Sequence, residues 1–178
     1  SVDDLDNDDL DNDDEEEIDY VDLCSKAKSL IHDFVAEPDS IMAQDVVGEN
    51  PSEFGNAFVQ ALLPLYLDAK PNEQELQLQL IGALSPPHLD PIQITRGFDD
   101  CEEFKCLPDM LCDYKDAPEQ IGSLLATMIN AELLDESNVA VFIDETEKEN
   151  LADDIYEAMM DVVTDCWTRL RKAVKDTE

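Results

Sequence analysis

Positive charge is scarce in this sequence, in which 11 Lys and Arg residues stand against 45 Asp and Glu residues. The formal net charge of -34 repels phosphate groups, so we expect no direct binding of nucleic acid or of anionic membranes. Long apolar runs are also missing, and neither a membrane-spanning segment nor a basic-then-apolar signal peptide is predicted. The partners of such a chain should be basic protein surfaces.

Signatures of catalysis and of metal binding are equally scarce. The chain has two histidines and five glycines, with neither a glycine-rich phosphate loop nor a nucleophile motif, so we expect no enzyme and no cofactor. Cys101, Cys106 and Cys112, with His88, are the candidates for a zinc site, but they lack the closely spaced cysteine pair that zinc sites use. Buried, reduced thiols are the preferred interpretation, in a protein of the cytoplasm or the nucleus.

Acidic residues are concentrated at the start of the chain, where residues 1–22 hold thirteen Asp and Glu and no Lys or Arg. Because this stretch cannot bury enough apolar surface to offset its ordering entropy, residues 1–18 are predicted to form a disordered acidic tail. A calcium loop is the alternative, since the acids from Asp4 to Glu15 follow EF-hand spacing, but Asp9 occupies the position that requires Gly. The chain starts with Ser rather than Met, so the possibility that it is a fragment of a longer protein stays open.

Amphipathic helix patterns fill the rest of the chain. Apolar residues recur at steps of three and four in about seven segments, joined by short turns that carry Pro or Gly, with no alternation of strands and helices. The predicted helices span residues 20–35, 41–46, 54–66, 73–84, 91–104, 120–134 and 146–174. We therefore predict an all-α, HEAT-like stack of antiparallel helix hairpins. Pro64 lies inside one of these helices and predicts a kink or a local adjustment.

Polar residues three positions before Glu or Gln mark four helix starts as capping boxes. These pairs are Asn50 with Glu53, Asp90 with Gln93, Asp116 with Glu119, and Thr146 with Glu149. The last pair is predicted to begin a long C-terminal helix, so that residues 135–178 consist of a linker and this helix packed on the domain.

The only cationic cluster of the chain, Arg169 to Lys175, lies at the end of that last helix, where it complements the helix dipole. Its charge also suggests a hypothesis of autoinhibition. The basic end would fold back on the acidic body or on the tail, and the tail would then be an autoinhibitory mimic of the acids of a partner.

The segment from Leu107 to Lys115 holds the strongest candidates for a binding site, Asp109 and Asp113. On a helical turn these two acids would face the same way, at a cost of a few tenths of a kcal/mol that a basic partner could offset. Asp116 ranks below them, because the role of helix cap is sufficient to explain it. A merely solvated turn is the alternative interpretation.

The order of the motifs resembles a known family. The chain carries SLIHDFVAEPD, NPSEFGNAFVQALLPLYLDAKPNEQELQLQLIGAL, ITRGFDD and LPDMLCDYKDAP, followed by an apolar helix. Together they resemble the MA-3 domain, the HEAT-like module of the programmed-cell-death-4 translation repressor and of initiation factor 4G. The resemblance runs from about Ser25 to Leu134, within a predicted domain of residues 19–134, and Gly97 to Pro118 is its most specific part.

The resemblance implies a non-catalytic module that binds the DEAD-box helicase of translation initiation, factor 4A, and modulates cap-dependent initiation. By motif position, Asp109 and Asp113 would contact the helicase, with Lys115 and Asp116 completing the loop. Family loops commonly have Pro where this chain has Lys115, which predicts a looser turn and a positive charge within the acidic patch.

A second class of function stays open, in which the protein is an acidic adaptor for basic partners. Examples are a histone chaperone and the aromatic/acidic-box HEAT domains of other initiation factors. Such a protein would use its tail and its general charge, so deletion of residues 1–22 would abolish binding, whereas mutation of the loop would not.

Overall fold

The computed structural model describes residues 17–177. The predicted disordered tail and the calcium-loop spacing therefore lie, apart from Glu17 and Ile18, outside the described residues. Residues 17–177 form ten α-helices and one 3₁₀ helix and contain no β-strand, which confirms the all-α prediction. The elements are α1 (Tyr20–Ala36), α2 (Ser40–Gly48), α3 (Phe54–Asp68), α4 (Pro71–Ala83), α5 (Pro91–Asp100), α6 (Glu102–Lys105), α7 (Leu107–Met110), α8 (Ala117–Asn130), α9 (Glu136–Ala152), the 3₁₀ helix Asp154–Met159 and α10 (Met160–Thr177). None of these helices is both long and apolar enough to cross a lipid bilayer.

Neighbours in the fold are mostly alternate helices of the chain. Helix α1 packs on α3, α3 on α5, α2 on α4, and α8 on α10. Fewer contacts join α1 to α2, while α9 lies against α10. Helices that pack on each other are thus mostly separated in the chain by one intervening helix, as α3 and α5 are by α4 and as α8 and α10 are by α9.

Helices α3 and α5 run in the same direction. A Cβ placed at Gly55 would lie 3.0 Å from the Cβ of Gln93, and one placed at Gly97 would lie 2.7 Å from the Cβ of Val59. Four residues further along α3, from Gly55 to Val59, correspond to four residues further along α5, from Gln93 to Gly97, so the two helices are parallel.

Helices α8 and α10 have the same relation. Arg169 contacts Glu119 near the start of α8, and one turn further a Cβ at Gly122 would lie 2.5 Å from the Cβ of Ala173. Parallel alternate helices with a returning helix between them form a stack of helix hairpins, so the structure agrees with the predicted HEAT-like arrangement.

An aromatic cluster joins the last helices to the middle of the stack. The rings of Phe104 and Trp167 lie 5.4 Å apart in a T-shaped arrangement, and Phe142 packs edge-on against Phe104 at the same distance. The Trp167 indole N–H donates to the Asn150 side chain at 2.7 Å, while the Asn150 amide donates to the carbonyl of Lys105 at 2.8 Å. Trp167 is therefore a core residue with its polar atom satisfied.

The prediction of one long C-terminal helix starting at Thr146 is wrong. Helix α9 already begins after Asp135, whose carboxylate accepts a hydrogen bond from the N–H of Asn138 at 3.3 Å. Thr146 lies inside α9 and donates to the carbonyl of Phe142 at 2.6 Å, so it does not form a box with Glu149. The polar spacing of a capping box also occurs inside helices, where a Thr hydroxyl bonds one turn back.

Two of the other predicted caps have opposite outcomes. Asp90 caps α5 as predicted and accepts a hydrogen bond from the N–H of Ile92 at 3.0 Å. Asn50 does not cap α3, because its side chain donates to the carbonyl of Val46 at 2.7 Å. The cap position of α3 is Glu53, which makes no side-chain capping bond.

Helix α3 continues through Pro64, as its apolar pattern predicts, and ends at Asp68, two residues beyond the predicted end. Two other helix boundaries differ more from the patterns. The helix predicted for residues 91–104 breaks at Cys101, whose backbone is extended. The helix predicted to reach Leu134 ends at Asn130, and Glu132, with a φ of 64°, turns the chain toward α9.

The close approach of α8 and α10 makes Gly122 sensitive to an added methyl group. We predict that Gly122→Ala lowers the free energy of unfolding by about 1–3 kcal/mol, because the new Cβ would overlap Ala173 and the carbonyl of Leu170. Gly82→Ala is the control, since nothing lies within 4 Å of a Cβ there and helix propensity favours Ala. Urea denaturation measures both variants, and an unchanged midpoint for Gly122→Ala would contradict this packing.

Candidate partner-binding site

We call residues 107–116 the acidic turn. At its start, Leu107 and Pro108 are buried, and directly after it Ala117 and Pro118 are buried at the beginning of α8. Between these two buried ends the side chains of Asp109, Asp113 and Asp116 are exposed. The core therefore fixes both ends of a turn that presents three carboxylates to solvent.

Backbone hydrogen bonds close the middle of the acidic turn. The N–H groups of Asp113 and Tyr114 both donate to the carbonyl of Met110, at 3.1 and 2.8 Å. The N–H of Ala117 then donates to the carbonyl of Tyr114 at 3.0 Å. These bonds close the turn, while the side chains of Asp109, Asp113 and Asp116 are exposed.

Two tyrosines connect the acidic turn to distant parts of the chain. The hydroxyl of Tyr156, in the 3₁₀ helix, donates to the carboxylate of Asp109 at 3.1 Å. The hydroxyl of Tyr114 donates to the carboxylate of Asp68, the last residue of α3, at 3.2 Å. Burial and the hydrogen bond to Asp109 raise the pKa of Tyr156, and the hydrogen bond to Asp68 is the main cause of a raised pKa at Tyr114.

Arg169 is the third connection, and it changes the interpretation of Lys115. One guanidinium nitrogen of Arg169 donates to the carbonyl of Lys115 at 2.7 Å. The sequence predicts a looser turn at Lys115, whereas this hydrogen bond restrains it. The Lys115 side chain itself is exposed.

The same arginine overturns the predicted capping box of α8. Two guanidinium nitrogens of Arg169 donate to the two carboxylate oxygens of Glu119, at 2.8 and 2.6 Å. Asp116 occupies the cap position but makes no side-chain capping bond. The cap role therefore does not account for Asp116, whose exposed carboxylate adds to the charge of the acidic turn.

The cationic cluster at the end of α10 is paired with acids of the folded body. Arg171 donates to Asp144 at 2.8 Å and to Glu147 at 2.5 Å, both on α9. Lys172 pairs with Asp176 on its own helix at 3.2 Å. The hypothesis that the basic end of the last helix pairs with acids of the folded body therefore agrees with the contacts of Arg169 and Arg171. Its other half concerns the acidic tail, which lies outside the described residues.

The cysteines have mixed environments. Cys101 and Cys166 are buried, and burial raises the pKa of each thiol to about 12. Cys106 is half-buried and Cys112 is exposed, so the prediction of buried thiols fails for Cys112. Within residues 17–177, no group of three or more His, Cys, Asp or Glu side chains is arranged to hold a metal ion.

Sequence reasoning missed Tyr156 and the full role of Arg169. Tyr156 follows an acidic stretch and gives no local signal of its contact with Asp109, which lies 47 positions earlier. Arg169 was explicable by the helix dipole alone, and its partners lie 50 and 54 positions away.

Comparisons of the chain with protein-family models, with curated proteins and with solved structures gave no match.

The ion pair beside the acidic turn predicts a dependence of stability on pH. The hydrogen bond from Arg169 holds the pKa of the Glu119 carboxyl below its ordinary value of 4.5. A lowered pKa in the folded state stabilises the protein above about pH 4.5, and this stabilisation is lost as the pH falls through the lowered pKa. Glu119→Gln should therefore melt at a lower temperature than the wild type near neutral pH, and the difference should shrink below about pH 4.5.

Thermal unfolding followed by circular dichroism between about pH 3 and pH 7 measures this difference. Glu145→Gln, on the exposed side of α9, is the control for the change of charge. A difference between wild type and Glu119→Gln that stays constant over this range would contradict the assignment.

Proposed function

We propose that this chain is a non-catalytic binding module that docks the DEAD-box helicase of translation initiation, factor 4A, through the acidic turn. The observation that carries the proposal is the presence of three exposed carboxylates on a turn restrained by Tyr156, by Tyr114 and by Arg169. The resemblance of Gly97 to Pro118 to the MA-3 domain supplies the identity of the partner. The proposed setting is the cytoplasm, where initiation takes place.

A restrained acidic turn suits recognition of basic side chains. Carboxylates accept charge-assisted hydrogen bonds from Arg and Lys, and Arg binds them with two parallel bonds. Because the turn is ordered before binding, less conformational entropy is lost on association. Arg169 and Arg171 pair with Glu119 and Glu147, so these two guanidinium groups do not neutralise the carboxylates of the acidic turn.

The effect on the helicase follows from differential binding. A DEAD-box helicase alternates between open and closed arrangements of its two lobes as it hydrolyses ATP. A module that binds one arrangement more tightly shifts the population toward it by the ratio of the two affinities. In this proposal the chain modulates cap-dependent initiation through that shift and performs no chemistry of its own.

A second candidate is an acidic adaptor for basic proteins such as histones or other initiation factors. It is favoured by the net charge of -34 and by the thirteen acids of residues 1–22. In this case the tail supplies the binding charge, and the acidic turn is not required.

Titration of the helicase into the chain tests the first proposal. We predict that Asp109→Asn combined with Asp113→Asn weakens binding about tenfold or more, since each lost charge-assisted contact costs about 1 kcal/mol or more. The dependence of affinity on salt should also fall, because two charges are removed. Isothermal titration calorimetry at two salt concentrations measures both effects.

Two matched variants complete this experiment. Glu145→Gln combined with Glu149→Gln removes two exposed charges four residues apart on α9 and should leave the affinity within about twofold. Deletion of residues 1–16 should also preserve helicase binding. Equal affinity of the acidic-turn variant and the wild type would refute the proposal, and loss of binding on tail deletion alone would favour the acidic adaptor.

A further inference from the structure

We propose that the docking surface extends from the acidic turn to a neighbouring pocket between α1, α3 and α4, which receives the side chain of one Lys or Arg of the partner. The pocket has a volume of about 130 Å³. Because sites for drug-sized ligands measure about 300–1,000 Å³, a pocket of this size suits a single side chain. This inference rests on the proposed function, since it concerns the same basic partner.

One hydrogen bond joins the acidic turn to the pocket. Asp68, the last residue of α3, lines the pocket, and its carboxylate accepts the hydrogen bond from the Tyr114 hydroxyl at 3.2 Å. Tyr114 belongs to the acidic turn, so a single tyrosine side chain spans the distance between the turn and the pocket. One partner surface can therefore reach both.

Two carboxylates of the pocket each keep an oxygen available for a cation. One oxygen of Glu73 accepts from the N–H of Lys70 at 3.0 Å, and one oxygen of Asp68 accepts from Tyr114. The other oxygen of each carboxylate accepts no hydrogen bond from the residues that the structure describes. Although Lys70 lies between them in the chain, neither acid forms an ion pair with a Lys or Arg of residues 17–177.

A buried amide of the same pocket also lacks a partner. Gln77 lines the pocket and is only 4% exposed, yet its side-chain oxygen accepts no hydrogen bond within residues 17–177. Residues four apart share a helix face, so Gln77 and Glu73 lie on the same side of α4. Buried polar groups of native proteins are nearly always paired, and an N–H donor of a bound cation would supply the missing partner.

The rest of the lining suits the stem of a basic side chain. Ile31 and Val35 of α1 and Leu65 of α3 provide apolar contacts, and the exposed imidazole of His32 offers one acceptor nitrogen when it is neutral. Lys and Arg combine an apolar stem with a cationic head that donates hydrogen bonds and accepts none. Such a side chain matches apolar walls beside two carboxylates and an amide oxygen, whereas an acidic side chain would be repelled.

The test combines Glu73→Gln with Gln77→Met and measures helicase binding by isothermal titration calorimetry. Glutamine removes the charge but keeps an acceptor for the N–H of Lys70, and methionine replaces the amide with an unbranched apolar chain. The matched control is Glu75→Gln with Gln79→Met, the same two changes at the same spacing at exposed positions of α4. We expect about a tenfold loss of affinity for the pocket variant and a change within about twofold for the control.

A small probe tests the pocket without the helicase. Nα-acetyl-lysine methylamide carries the ammonium group of a lysine side chain, whereas its Nε-acetylated form lacks the charge. In NMR titrations we expect the first compound to shift the side-chain amide signals of Gln77 but not those of Gln79, and the second compound to shift neither. Gln77 signals that the charged probe leaves unchanged would overturn the inference, even if the pocket variant binds the helicase weakly.

The outcomes separate this inference from the proposed function. If the wild type binds the helicase and the pocket variant binds as well as the control, this inference is wrong and the proposed function stands. If the helicase does not bind but the charged probe shifts the Gln77 signals, the proposed function is wrong and the pocket serves another basic partner. If neither binds, both are wrong.

Thermal unfolding distinguishes a lost contact from a folding defect. If the pocket variant melts below the control, Gln77→Met alone replaces it in the calorimetry, because this substitution removes an unpaired buried group and should not destabilise the fold. Its affinity should still be lower than that of Gln79→Met. Equal affinities of these two single variants would overturn the inference.

Discussion

The position of the acidic turn depends on the contact between α8 and α10. These helices run parallel, with Gly122 against Ala173, and Arg169 reaches from α10 to Glu119 and to the carbonyl of Lys115. The same packing brings Tyr156 to Asp109 at the other end of the turn. The C-terminal helix is thus the structural support of a loop that lies more than forty residues earlier in the chain.

Packing and ion pairing have different roles in this support. A fully buried apolar side chain contributes about 1.5–3 kcal/mol, and α10 buries five side chains, including Trp167 and Leu170. A partly exposed ion pair such as Arg169 with Glu119 contributes about 0–1 kcal/mol. Packing therefore holds α10 in place, whereas Arg169 fixes the local geometry of the turn. The pairing of Arg169 and Arg171 with acids of the body also leaves the surface strongly acidic.

The all-α fold could be predicted from apolar periodicity, because each helix of a hairpin stack must bury one face. Helix starts were predictable only where the cap is local, as at Asp90. The box at Asp116 failed because Arg169, fifty positions from Glu119, takes the carboxylate that the box requires. The box at Thr146 failed because the same residue spacing satisfies an internal helical bond. The candidate acids were visible from their motif, but the residues that restrain their turn were not, since those contacts span the sequence.

Amide hydrogen exchange of the acidic turn tests most directly whether α10 restrains it. The protected N–H groups of Tyr114 and Ala117 report on the turn, and Arg169→Met removes its connection to α10 while keeping the apolar part of the side chain. Lys172→Met, which removes an exposed charge and its ion pair with Asp176 within α10 but no hydrogen bond to the acidic turn, is the control. The account predicts faster exchange of these amides in Arg169→Met than in the wild type and no change in Lys172→Met. Exchange in Arg169→Met at the wild-type rate would contradict it.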